Sequence, residues 1–326
     1  MKCIYCSTNT KYKARSANGG RCASCGQRFA FNDKSPRLTD ELFRKAIADS
    51  SDGGVLRFTP QNLRYAVERR LARWKKRQYG WFVAGGALVG LFFGGVVSDA
   101  GRAAVLITFT ACVVCALVAA EFVRVTRSRS KLPDNAFQVA QGRWRGAHGE
   151  IANMISPLAR QDRSRLSSPA TLEEEEFYSF ERAVVTQTSD VAQLLVENNF
   201  HFDNECAVLS YDGYPERNFS TILAALQRNH TVCISVVHDA SGPGCDLPWT
   251  LREGRWFPEA AGRIVDVGLR PRDVSRHRLS TKRSTRDTVH EGARKALSRR
   301  EIRWIESGKS CELMVLPPKQ LPELAM

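Results

Sequence analysis

The stretch "VVHDASGPGC", residues 236–245, decides how the larger part of this chain is read. Val236 and Val237 suit a buried parallel strand. His238 and Asp239 stand where such a strand ends, and Gly242, Pro243 and Gly244 predict a break in the chain. In an open α/β sheet, ligands and metals bind at the carboxyl ends of strands, so the stretch is a candidate binding edge. Its neighbours repeat the pattern. "RAVVTQ" (182–187), "CAVLSY" (206–211) and "GRIVDVGL" (262–269) are apolar runs of strand length. Between them, "SDVAQLLVENN" (189–199) and "PERNFSTILAALQRN" (215–229) carry helical periodicity, and "LPWTLREG" (247–254) reads as a helix or turn. This alternation predicts a mainly parallel sheet, covered by helices on both faces, over 181–326.

Taken in order, "AVVTQTSDVAQLL", "AVLSYDGYPERNFSTILAAL", "VCISVVHDASGPG" and "IVDVGLRPRDV" resemble the Toprim domain of topoisomerase VI A subunits and their meiotic relatives. The "GYP" and "GLRP" segments carry most of the likeness. The closing "LSRREIRWIESGKSCELMVLPPKQL" extends it, as a terminal helix followed by an acidic residue and an apolar strand. In that family, strand one ends in a catalytic glutamate and strand three in an Asp-x-Asp pair, which together hold Mg²⁺. The resemblance implies the same fold over roughly 180–326 and a magnesium edge at Asp239. The departures imply that the edge is degenerate. Thr186 or Gln187 stands near the glutamate position, and Ser241 replaces the second aspartate. One carboxylate in place of three leaves little charge to hold a hard cation or stabilise a phosphoryl transition state. The family's upstream cleavage domain, with its tyrosine nucleophile, has no counterpart here.

An alternative keeps catalysis: a divergent metal-dependent nuclease or phosphotransferase using Asp212 and Asp239, with Asp246 in support. Ligand-binding candidates at the same edge are Tyr214, His238, Ser241, the Gly242 and Gly244 amides, Arg270 and Arg272. Arg276, Arg278, Lys282, Arg283 and Arg286 follow, and such a cluster could clamp a nucleotide or nucleic-acid phosphate.

Upstream, Cys3, Cys6, Cys22 and Cys25 form CxxC, fifteen intervening residues and CxxC. Two such knuckles can present four thiolates to one tetrahedral ion, which predicts a closed, structural zinc ribbon. The basic "TKYKARSANGGR" between them, with Tyr12, is a candidate nucleic-acid contact. The polar start "MKCIYCSTNTKYK" does not read as a secretory leader, and a reducing compartment is expected for the remaining cysteines.

Charge is uneven. Residues 1–80 hold 18 Lys/Arg against 6 Asp/Glu, whereas 181–326 hold 20 against 19. Two charge-free runs, 81–98 and 103–120, are each just long enough to span a bilayer, and basic residues flank both outer ends. They predict a two-span transmembrane hairpin with both termini cytoplasmic. Gly86, Gly90 and Gly94 share one face for packing within the hairpin or for homo-oligomerisation.

The expected organisation is therefore multidomain: 1–33 zinc ribbon, 34–80 helical adaptor, 81–123 membrane hairpin, 124–180 connector, and 181–326 Toprim-like α/β domain. In the connector, Phe137, Ala140, Trp144, His148, Ile151 and Ile155 share a helical period, with His148 read as a packed histidine. The expected function is a membrane-anchored binding, sensing or scaffold protein with structural zinc, magnesium being a weaker expectation. A membrane-tethered nucleic-acid-binding protein is a further alternative.

Overall fold

In a computed structural model of the chain, residues 1–33, 38–72, 132–156, 181–229, 231–254, 256–257, 263–283 and 287–325 are described. They fall into two compact units. One comprises Met1–Ile47 and Arg64–Ile151, the other Ala48–Leu63 and Ala152–Met326.

In the first unit, two cysteine knuckles flank a short helix, α1 (Tyr12–Ala17). Helix α2 (Asp40–Ser50) opens on Thr39, whose hydroxyl accepts the Leu42 N–H at 3.2 Å. Helix α3 (Asp134–His148) buries Phe137, Ala140 and Trp144 on one face and stops at Gly149, whose φ is +85°. Ile151 and Ile155 therefore lie beyond the helix that their spacing predicts. Buried Asp40 ties the pieces together. Its carboxylate accepts the Ala30 and Phe31 N–H groups at 3.0 and 3.2 Å, and lies 2.8 Å from His148 Nε2. The other ring nitrogen meets the Tyr5 hydroxyl at 3.2 Å, so His148 is a satisfied packing residue.

The second unit holds four parallel strands: β1 (Arg182–Thr186), β2 (Ala207–Ser210), β3 (Cys233–Val237) and β4 (Ile264–Asp266). Their order is β2-β1-β3-β4, with Val184 beside Val208 on one side and Ser235 on the other. The chain steps one way from β1 to β2 and the other way from β3 to β4. Right-handed crossovers then place the connecting helices on opposite faces. The first crossover holds α4 (Ser189–Glu197) and α5 (Phe200–Asp203); α6 (Phe219–Arg228) precedes β3, and α7 (Gly242–Glu253) precedes β4. Val185, Leu209, Ile234, Val236, Phe219, Leu226, Leu247 and Leu251 form the core. Each such side chain contributes about 1.5–3 kcal/mol on burial.

After β4 come α8 (Pro271–His277), β5 (Lys282–Arg283), α9 (Glu291–Arg294), α10 (Arg299–Glu306), β6 (Lys309–Ser310) and α11 (Leu321–Ala325). β5 and β6 pair antiparallel, and Cys311 bridges to Ala240 just beyond β3. Residues 48–63 belong to this unit. Asn198 and the Arg57 backbone exchange two hydrogen bonds at 2.8 and 3.0 Å, and Asn62 Nδ2 donates to the Met314 and Leu316 carbonyls at 3.0 and 3.3 Å.

Three expectations are corrected. Among the described residues, no helix is long and apolar enough to cross a membrane, and the hairpin expected at 81–123, with Gly86, Gly90 and Gly94, lies outside them. The membrane-hairpin fold class, the membrane anchoring and the two-cytoplasmic-termini topology therefore find no spanning helix among the described residues. A charge-free run of 18 residues permits a span without requiring one. What stands is a parallel-sheet α/β region and a cysteine cluster. Second, Gly242, Pro243 and Gly244 do not break the chain but form the first turn of α7, where proline is tolerated because the first N–H groups have no partner within the helix. Third, "CELMVL" is not a strand: a 3₁₀ turn covers Leu313–Val315.

Candidate functional site

The two knuckles are near copies offset by nineteen residues. Cys3 N–H donates to the Thr8 carbonyl and Cys22 N–H to that of Gln27; Ser7 N–H returns to Cys3, and Gly26 N–H to Cys22. Ser7 and Gly26 occupy the same left-handed turn position, with φ of +62° and +72°. Cys3 and Cys25 sulfurs lie 3.7 Å apart, and those of Cys6 and Cys22 3.6 Å. A tetrahedron with zinc–sulfur bonds of ~2.3 Å has an edge of roughly 3.8 Å, so the spacing fits the ion. All four sulfurs lie within 4.8 Å of one another. The donors suit zinc, and four thiolates leave no open position for a reacting water. Hydrogen bonds from Thr8 draw Cys6 down to about 6. Cys25 goes up to about 12, since burial and its three sulfur neighbours outweigh the Gln27 amide bond that favours its thiolate.

The basic segment between the knuckles is partly committed to the fold. Arg15 is buried, donating to the Asn32 side chain at 3.0 Å and the Thr10 carbonyl at 2.7 Å, and lies over the Phe29 ring. Tyr12 remains exposed.

At the strand ends, nearly every candidate is engaged by the protein itself. Asp212, past β2, accepts three donors. The Ser189 N–H reaches Oδ2 at 3.1 Å, and the Ser189 and Ser210 hydroxyls reach Oδ1 at 2.6 and 2.5 Å. Ser241 is the N-cap of α7, its hydroxyl accepting the Gly244 N–H at 3.1 Å. Gly244 is sterically required, because a Cβ there would lie 2.2 Å from the Asp239 carbonyl oxygen. Gln187, next to the glutamate position, turns its Oε1 to the Asp239 N–H at 2.9 Å. Thr186, fully buried, donates to the Thr188 carbonyl at 2.9 Å. The Ser210 N–H donates to the Tyr214 carbonyl at 2.9 Å and the Tyr214 N–H to the Ser210 hydroxyl at 2.8 Å, across a turn that needs Gly213 at φ +102°.

Asp239 accepts the Leu313 N–H at 2.7 Å. Burial pushes its carboxyl up to about 6; the Leu313 bond opposes the shift and the Glu312 charge adds to it. Burial, then the charges of Asp212 and Glu312, also raise Asp190. Glu312 is paired with Lys282. Four acids thus share this edge, but no three of them bring their oxygens together. Among the described residues, the cysteine quartet is the one group of three or more His, Cys, Asp or Glu side chains whose ligand atoms converge.

His238 and Arg270 belong to a separate network centred on Asp266, at the end of β4. His238 is buried, with Nε2 2.9 Å from Asp266 Oδ1 and Nδ1 2.8 Å from the Asp239 carbonyl. Both nitrogens face oxygen atoms of the fold. Arg270 donates to Asp266 Oδ2 through two nitrogens, at 2.6 and 3.2 Å. Burial opposes ionisation of Asp266, yet the bonds and charges of His238 and Arg270 hold it well below the usual carboxylate range. Gly268 lies against the imidazole, where a Cβ would fall 2.2 Å from a ring carbon. The "GLRP" segment therefore has a structural meaning: glycine for the ring, arginine for Asp266, proline at the start of α8. Sequence reasoning missed Asp266, although a strand ending in aspartate four residues before an arginine was a visible signal. Arg272 is exposed, 3.8 Å from Asp273, and stands apart from the others. Compared with known proteins, the chain matches no family model and no curated sequence.

Proposed function

We propose that this chain is a non-hydrolytic binding protein, built from a structural zinc ribbon and a degenerate Toprim-like α/β domain. The observation that carries the reading is the state of Asp212 and Ser241. Asp212 accepts three hydrogen bonds, and the Ser241 hydroxyl caps α7. Magnesium would have to strip Asp212 of donors that already satisfy it, and Ser241 stands where the family's second aspartate would help. The parallel order β2-β1-β3-β4 supports the Toprim-like assignment at the level of topology. To test the reading, the full chain is incubated with DNA and RNA in millimolar Mg²⁺ or Mn²⁺. No cleavage is expected, and cutting that disappears in Asp239→Ala overturns it.

A second reading, a nucleic-acid-binding protein, is favoured by one feature. Residues 270–309 hold 13 Lys/Arg against 5 Asp/Glu within a nearly neutral C-terminal region. Arg283 and Lys309 even pair directly across β5 and β6, a like-charge arrangement that a bound phosphate would relieve. Binding that weakens steeply with salt, and flattens in Arg283→Ala, supports this reading; salt-independent binding removes it.

A further inference from the structure

The C-terminal unit contains a cavity of ≈ 540 Å³ lined in part by the Gly268–Leu269 turn and by α8. It lies away from the strand-end acids and plays no part in the proposed function. Its volume falls within the range of small-molecule sites, roughly 300–1,000 Å³. Leu269, Leu279 and Leu316 supply apolar wall, and Asp273, His277 and Glu323 supply polar groups.

The polar groups differ in how far they are committed. Asp273 Oδ2 accepts the Arg270 N–H at 3.2 Å as part of a capping box, and its other oxygen is 3.8 Å from Arg272. His277 and Glu323 are exposed, and neither side chain has a hydrogen-bond or ion-pair partner among the described residues. The cavity therefore joins leucine side chains to an uncommitted carboxylate, with a second carboxylate close by. That combination offers a charge partner to a cation and contact to an apolar body. It suits an ammonium or guanidinium group carried on an apolar body, the charge at Glu323 and the body on the leucines.

We propose that this cavity is a binding site for a small organic cation with an apolar moiety. The test uses the full zinc-loaded chain and three probes of one shape: phenethylamine, 2-phenylethanol and 3-phenylpropionate, titrated by calorimetry. The amine is expected to bind more tightly than the alcohol, and the carboxylate least. Because Glu323 is exposed, Glu323→Gln should weaken the amine by about two- to fivefold while leaving the alcohol unchanged. Leu279→Trp should abolish amine binding by filling the cavity, with the far-ultraviolet spectrum retained. Equal binding of all three probes, no heat from the amine at millimolar concentration, or an unaltered amine affinity in Glu323→Gln each overturns the proposal.

Discussion

Two regions of this molecule carry metal-ligand residue types, and they differ in where those residues turn their donor atoms. In the cysteine centre, four sulfurs face one another at tetrahedral spacing. At the strand ends, the oxygens of Asp212, the hydroxyl of Ser241 and one oxygen of Asp239 are taken up by hydrogen bonds from the fold. Both regions cluster the right elements, but only the first keeps its donors turned toward a common point. Whether a ligand set is real depends less on which residues are near than on how many of their lone pairs are already spoken for.

The comparison can be broken most easily at the cysteines. If zinc organises the knuckles, Cys22→Ser or a strong chelator should unfold residues 1–33, because the binding free energy of about 10 kcal/mol or more is also folding free energy. Amide dispersion of those residues and one zinc per chain by elemental analysis are the readouts; a dispersed spectrum without metal removes the centre.

The next largest effect is expected inside the strand-end network. Asp266→Ala strands His238 and Arg270 without their shared carboxylate and should cost about 3–5 kcal/mol, seen as a lower denaturant midpoint. A change under 1 kcal/mol means that the network is incidental.

The smallest effect sharpens the account of Asp239. Its carboxyl is raised to about 6, above its value in an unfolded chain, so it weakens the fold as pH climbs from about 4 through 6 and has no such effect below that window. Asp239→Asn should therefore stabilise the protein by about 1–2 kcal/mol at pH 7 and by nothing at pH 4. Equal melting of the two proteins at pH 7 sinks the argument. Greater stability of wild type at that pH would point to a bound cation.

What could be read from the sequence was local. The CxxC spacings are set by single turns, and the four strands announce themselves as short apolar runs at 182–187, 206–211, 233–237 and 262–269. His148 could be placed as a packing residue from its helical period alone. The strand-end chemistry was not legible, because its deciding bonds are distant in sequence. His238 meets Asp266 twenty-eight residues on, and Asp239 meets Leu313 seventy-four on. The GPG turn misled for a different reason. Gly and Pro usually interrupt regular structure, yet in a helix's first turn the missing N–H and the small side chain are assets. The membrane reading rested on composition in a segment that the described structure does not include.

The attachment of residues 48–63 has a consequence for how the protein is made. Asn62 is translated some 250 residues before the Met314 and Leu316 carbonyls that receive its side chain. On the ribosome, the Asn62 side chain has no carbonyls to bond until nearly the whole chain has emerged. Bringing such ends together costs about 5 kcal/mol of chain entropy, which local contacts cannot recover. The α/β unit should therefore close late and as a whole, and a nascent chain stalled before residue 313 should leave the stretch around Asn62 open to protease.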